Sequence, residues 1–197
     1  MAQPAAGGWR ALVTECAHFV ALEARACLFA GLFFLAVFVV PRAGWLGVPR
    51  YDLLLIIALG IQAWMLWTGR ETLDELKAIT LFHVLGFALE VFKTSSAVRS
   101  WSYPDFAYSK IAGVPLFSGF MYAAVGSYII QAWRLFNLRI EHHPPYWMAG
   151  CVATALYLNF FTHHFIGDHR WWLGALALGL YARSTVVFRP HRVDRRL

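Results

Sequence analysis

Six predominantly apolar stretches, each near the length a helix needs to cross a bilayer, recur along the 197 residues of this chain. About 20 residues at 1.5 Å each cover the roughly 30 Å of hydrocarbon. In lipid every backbone N–H and C=O must be paired within the protein, so only helices and closed barrels can span it. The runs predict spans over about 19–40, 52–68, 73–94, 115–136, 146–166 and 170–188. The expected fold is therefore all-α: a polytopic transmembrane helix bundle of about six spans, in one domain covering 1–197.

Local signals set the boundaries. Leu12, Val13, Cys16, Phe19 and Val20 follow helical spacing, so amphipathic turns are expected ahead of the first span. Pro41 and Gly44 close that span. Thr72 followed by Glu75 forms a capping box for the third, and Pro115 suits the first turn of the fourth. Pro144 and Pro145 precede the fifth, and Pro190 ends the sixth. Cys16, Cys27 and Cys151 form no CxxC, and Cys27 and Cys151 read as small packing residues inside apolar runs.

Composition matters for one decision. Hydrophobic residues make up 59% of the chain and charged ones 14%, against roughly 45–50% and 25% in soluble domains. So short a chain could not hide that much apolar surface from water. The net charge of +6 does not point to nucleic acid, because no aromatic-basic platform accompanies it. With six spans, Arg10, Arg70, Lys77, Arg134, Arg139 and Arg183 share one side with the tail arginines Arg189, Arg192, Arg195 and Arg196. The other side holds Arg42, Arg50, Lys93, Arg99, Lys110 and Arg170. The bias places both termini in the cytoplasm. The basic tail, 189–197, is expected to rest on anionic lipid, at about 1 kcal/mol per cation.

One connection is long. From Ser95 to Val114 it carries Arg99, Trp101, Tyr103, Asp105, Phe106, Tyr108 and Lys110. Twenty structureless residues would be unusual, so part of this aromatic loop is expected at the interface or dipping back into the bundle.

Polar groups inside spans are costly and mark candidate sites. His83 lies near the middle of the third helix, Glu90 two turns on along the same face, and Lys93 at i+3 from Glu90, within pairing reach. In the fourth, Gly119, Ala123, Ser127 and Gln131 form a small-residue face that turns polar at one end. In the fifth, Asn159 and His163 share a face beside Thr162 and His164. Alternating spans then bring Glu90, Lys93, Tyr122, Asn159, Thr162, His163 and His164 to one depth, beneath Trp101 and Tyr103. Structural alternatives stand beside this reading. His83 can be a neutral histidine bonded to a neighbouring helix, Glu90 and Lys93 an interfacial pair, and the aromatics and His163–His164 a belt.

Motif tests narrow the chemistry. No two of the eight histidines lie two to four residues apart, as a membrane di-iron enzyme needs. HExxH, GxSxG, P-loop and GxGxxG are absent. A metal site improvised from His83, Glu90, His163 and His164 stays open, as does any cofactor.

The segment His83-Val-Leu-Gly-Phe-Ala-Leu-Glu90-Val-Phe-Lys93-Thr94 with Ser100-Trp101-Ser-Tyr103-Pro104 resembles the YoaT-like family of bacterial membrane proteins. So do Gly113-Val-Pro-Leu-Phe-Ser-Gly-Phe-Met-Tyr122 and Asn159-Phe-Phe-Thr162-His163-His164-Phe. The family is one of unknown function, so the resemblance implies a fold type and no activity. Its motifs imply that Glu90, Lys93, Trp101, Tyr103, Asn159 and His163 act together. Members are expected to continue into a second hydrophobic half, which makes this chain a shortened form or one needing a partner.

Three functions remain. The first is an intramembrane enzyme acting on a lipid or isoprenoid by general acid/base chemistry. Glu90, His163 and Lys93 would be catalytic, with His83, Trp101, Tyr103, Tyr122, Asn159, Thr162 and His164 around the substrate. The second is a small-solute or ion pathway along Gln131, Ser127, His83 and Glu90. The third is a structural subunit, homo-oligomeric or completed by a membrane partner. Membrane lipids are partners in every case.

Overall fold

A computed structural model describes residues 9–187; the expected basic tail lies outside the described residues. Helices α1 (Trp9–Ala26), α2 (Leu28–Val39), α3 (Arg50–Trp67), α4 (Leu73–Thr94), α5 (Gly119–Leu135), α6 (Tyr146–Thr162) and α7 (Arg170–Tyr181) account for most of them. Two small antiparallel pairs close the connections. Strand β1 (Lys110–Ile111) pairs with β2 (Val114–Pro115), and β3 (Arg139–Glu141) with β4 (Thr185–Val187).

The α4 boundary follows the capping box. Thr72 Oγ1 accepts from the Glu75 N–H at 3.2 Å, while the Thr72 N–H donates to Glu75 Oε2 at 2.7 Å. Two orphan donors of the first turn are thus paired.

Glycines lock α4 and α5 together as an antiparallel pair. A Cβ added at Gly119 would meet the His83 ring at 2.7 Å, one at Gly126 the Phe82 ring at 2.8 Å, and one at Gly86 the Tyr122 ring at 2.2 Å. Each large side chain thus occupies the missing side chain of a glycine on the facing helix, which is how small residues let backbones approach. The expected small-residue face is buried here: Ala123 and Ser127 are 0% exposed and Gln131 3%. Phe29 and Phe33 of α2 stack toward Phe120, and Leu54, Ala58 and Met65 of α3 complete this core. A smaller cluster joins Leu22 and Ala26 of α1 to Ala132, Leu135 and Phe136.

Three boundaries differ from expectation. The first run breaks at Cys27, where α1 and α2 are bent by 64°. Helix α1 carries Glu15, His18, Glu23 and Arg25, whereas α2 has no charged residue, so the two halves suit different surroundings. Pro115 sits in the β2 strand, with a 3-10 turn (Leu116–Ser118) before α5 begins at Gly119. The last run yields the 12-residue α7, about 18 Å long, and then the β4 strand. All three cysteines are exposed, so Cys27 and Cys151 do not fill a core.

By length and composition, α3 is a helix able to cross a membrane, and the bent α1–α2 pair is a second if taken as one span.

Candidate functional site

The long aromatic connection folds back onto the helix ends. Asp52, in the first turn of α3, accepts the Tyr108 and Ser109 N–H groups at 2.9 and 2.8 Å. Lys110 Nζ donates to the Tyr103 and Asp105 carbonyls at 2.6 Å. Tyr103 is thereby held edge-on to Tyr51 and Phe117, with centroids 5.8 and 6.3 Å away.

This anchoring delivers three donors to one carboxyl group. Glu90, 2% exposed, accepts from Trp101 Nε1 at 2.8 Å and Tyr103 Oη at 2.7 Å on Oε2, and from Tyr122 Oη at 2.8 Å on Oε1. Burial first, and then the neighbouring Glu90, push the Tyr103 phenol well above its usual range, so it stays a donor.

Lys93 does not pair with Glu90. It is 3% exposed and faces α6, where its ammonium donates to the Phe160 carbonyl at 2.9 Å and meets His164 Nε2 at 2.8 Å. It also lies 4.1 Å from the Phe160 ring centroid, a cation–π contact. At i and i+3 the two side chains diverge far enough to serve different helices.

The remaining expected residues turn back on their own helix end. Asn159 Oδ1 accepts the His169 N–H at 3.0 Å and its Nδ2 donates to Asp168 at 3.2 Å. Thr162 Oγ1 donates to the Leu158 carbonyl at 2.9 Å, and His163 Nδ1 lies 3.0 Å from the Phe160 carbonyl. The Arg170 N–H, then Asn159 and the Arg170 side chain, hold Asp168 below the usual carboxylate range. These groups fall into three knots: Glu90 with the aromatics, Lys93 with His164, and Asn159 with Asp168. Among the described residues no three His, Cys, Asp or Glu side chains converge as a metal would need.

His83 stands apart, deeper in the bundle. A cavity of about 350 Å³ opens between α3, α4 and α5, walled by Leu55, Leu59, Leu76, Ile79, Leu116, Phe120 and Ala123. Its polar lining is Gln62, Thr80 and His83. The His83 ring packs on Phe120 with centroids 4.5 Å apart, and its buried Nδ1 has no partner. Gln62 Oε1 is likewise buried and unpartnered, while Gln62 Nε2 donates to Glu71 Oε2.

Glu71 and Gln62 are absent from the sequence-derived set. Glu71, 2% exposed, also accepts from the Ser127 hydroxyl, so it is a second buried carboxyl group. It immediately precedes the capping Thr72, a position that reads as solvated loop. The signal that could have found it is the polar end of the α5 small-residue face, Ser127 and Gln131, which needed a partner across the bundle.

Residues 15–197 match a family described as a protein family of unknown function, DUF817. The chain is 46% identical over 185 residues to the uncharacterized protein YoaT of Bacillus subtilis (strain 168). That similarity covers 94% of this chain and 69% of YoaT. No solved structure matches.

Proposed function

The chain belongs to the DUF817 family, and we propose that it is an intramembrane enzyme acting on a lipid or isoprenoid by general acid/base chemistry. In this reading the helices cross a bacterial inner membrane about six times, with both termini cytoplasmic. What supports membrane embedding, beyond α3 and the bent α1–α2 pair, is the apolar surface. Helix α7 buries no residue in this chain and α6 buries Asn159, while Trp147, Leu158, Trp171, Trp172, Leu176 and Leu178 are exposed. In water such a patch is unstable; lipid, or a second membrane subunit, satisfies it.

The carrying observation is the cavity beneath His83. Its walls are apolar, its polar atoms are few, and its titratable lining residue, His83, has a buried ring nitrogen without a protein partner. An imidazole can take up or release a proton, the step required for water addition or isomerisation at a double bond. Glu90, whose carboxyl accepts from three side chains, serves instead to position the aromatic loop.

Lipid extracts of cells producing the wild type, His83→Asn or no protein test the reading. A lipid change made by the wild type and lost in His83→Asn, with the variant still folded, is the expected result. Identical extracts from all three sink it.

A proton or ion pathway is the second reading, favoured by the placement of Glu71 just before α4 and of His83 and Glu90 in its middle and last turns. Flux in proteoliposomes that falls in His83→Ala would replace the enzyme reading.

A further inference from the structure

We propose that the groove between α3, α4 and α5 recognises a hydroxyl group on an apolar chain, an isoprenoid-type alcohol, and that Glu71 sets this choice by fixing the Gln62 amide. The inference rests on the proposed function for the lipid setting of the groove and names the substrate class of that site.

A glutamine side chain has two faces, an acceptor carbonyl and a donor amide nitrogen. Here Nε2 donates to Glu71 Oε2, and the other Glu71 oxygen takes the Ser127 hydroxyl. Accepting at Oε2, Glu71 holds the nitrogen toward itself and leaves the amide carbonyl without a protein partner. Gln62 is 6% exposed, lines the cavity, and its Oε1 has no partner. A buried carbonyl that no protein donor meets favours a ligand that brings one.

The rest of the lining does not supply one. The Thr80 hydroxyl is spent on the Leu76 carbonyl at 2.8 Å, the His83 Nδ1 is itself without a partner and makes no bond to Gln62, and the other walls are hydrocarbon. An alcohol provides the missing O–H and buries its chain against leucines and Phe120. An aldehyde, ether or plain hydrocarbon has no proton to give. A fatty carboxylate brings two further acceptors to a carbonyl already backed by Glu71. The space, about 350 Å³, falls within the roughly 300–1,000 Å³ of small-molecule sites. Addition of water to a double bond yields such an alcohol, so recognition and the proposed chemistry concern one class of molecule.

The test is native mass spectrometry of the full chain in detergent, offered geranylgeraniol, geranylgeranial or the hydrocarbon of equal carbon number. The wild type should retain the alcohol on the order of tenfold or more over the other two, because a site built to bond a hydroxyl rejects analogues lacking it. Gln62→Leu, nearly isosteric and free of orphaned polar atoms, should bind all three alike. Glu71→Gln does not touch the groove but frees the amide to turn, so the aldehyde should approach the alcohol. Equal retention of the three by the wild type overturns the proposal, as does an unchanged preference in folded Glu71→Gln. If Glu71→Gln does not fold, Gln62→Leu decides alone. A hydroxyl preference without any lipid turnover would leave this inference standing and remove the acid/base reading; turnover without preference does the reverse.

Discussion

Tyr122 lies across Gly86 so closely that a Cβ there would come within 2.2 Å of its ring, and the same ring places its hydroxyl 2.8 Å from Glu90. Close helix packing and the hydrogen bonds of the buried carboxyl group are therefore one feature. A glycine on α4 admits the tyrosine of α5, and that tyrosine reaches back to α4 one turn later.

Gly86→Ala should accordingly destabilise the protein by about 1–3 kcal/mol, the usual cost of overpacking. Thermal unfolding in detergent measures it. Combined with Tyr122→Ala the cost should shrink, because the clash is gone. Additive losses in the double variant would show that Gly86 matters for some other reason.

Glu90→Gln should release the aromatic loop rather than unfold the bundle. The amide keeps one acceptor and turns an NH2 toward at least one of three donors. The loss should be on the order of 1–3 kcal/mol, the cost of leaving a buried donor unpaired. Trypsin should then cut at Arg99 in folded protein, and Trp101 fluorescence should change. Unaltered cleavage would mean that Asp52 and Lys110 hold the loop unaided.

Protonation of Asp168 should loosen the turn between α6 and α7. Its folded pKa lies below the usual carboxylate range, chiefly through the Arg170 N–H. Stability from a depressed carboxyl is fully present above its unfolded pKa and is lost as pH falls through the folded one. Protection of the His169 and Arg170 amides, relative to their intrinsic exchange at each pH, should therefore hold at neutral pH and fall in acid below about pH 4. In Asp168→Asn the acid dependence should disappear.

Membrane orientation is open to a direct test. A single cysteine at Asp105, in a chain with Cys16, Cys27 and Cys151 replaced, should react with an impermeant maleimide in intact cells. One at Leu138 should react after permeabilisation alone. The opposite pattern would invert the proposed topology.

What the sequence determined by itself was local. The Thr72–Glu75 box placed the start of α4, because both capping bonds close within one turn. The spaced small residues of α5 foretold its buried face, and the length and aromatic content of 95–114 foretold a loop folded back on the helices. Apolar runs cannot by themselves mark where a helix breaks: Cys27 carries neither proline nor glycine to announce a 64° bend, and the final run divides into α7 and β4, whose pairing with β3 is non-local.

Tertiary structure decided how the polar residues were shared out. Glu90 and Lys93 stand at pairing distance in sequence, yet α5 with the loop claims one and α6 the other, because each direction offers more partners than the pair does. Glu71 and Gln62, nine residues apart across a turn, form a buried pair that no periodicity announces. A side chain's face follows from helical spacing, but the atom waiting opposite depends on which helix packs there, and that is fixed by glycines and aromatics far away in the chain.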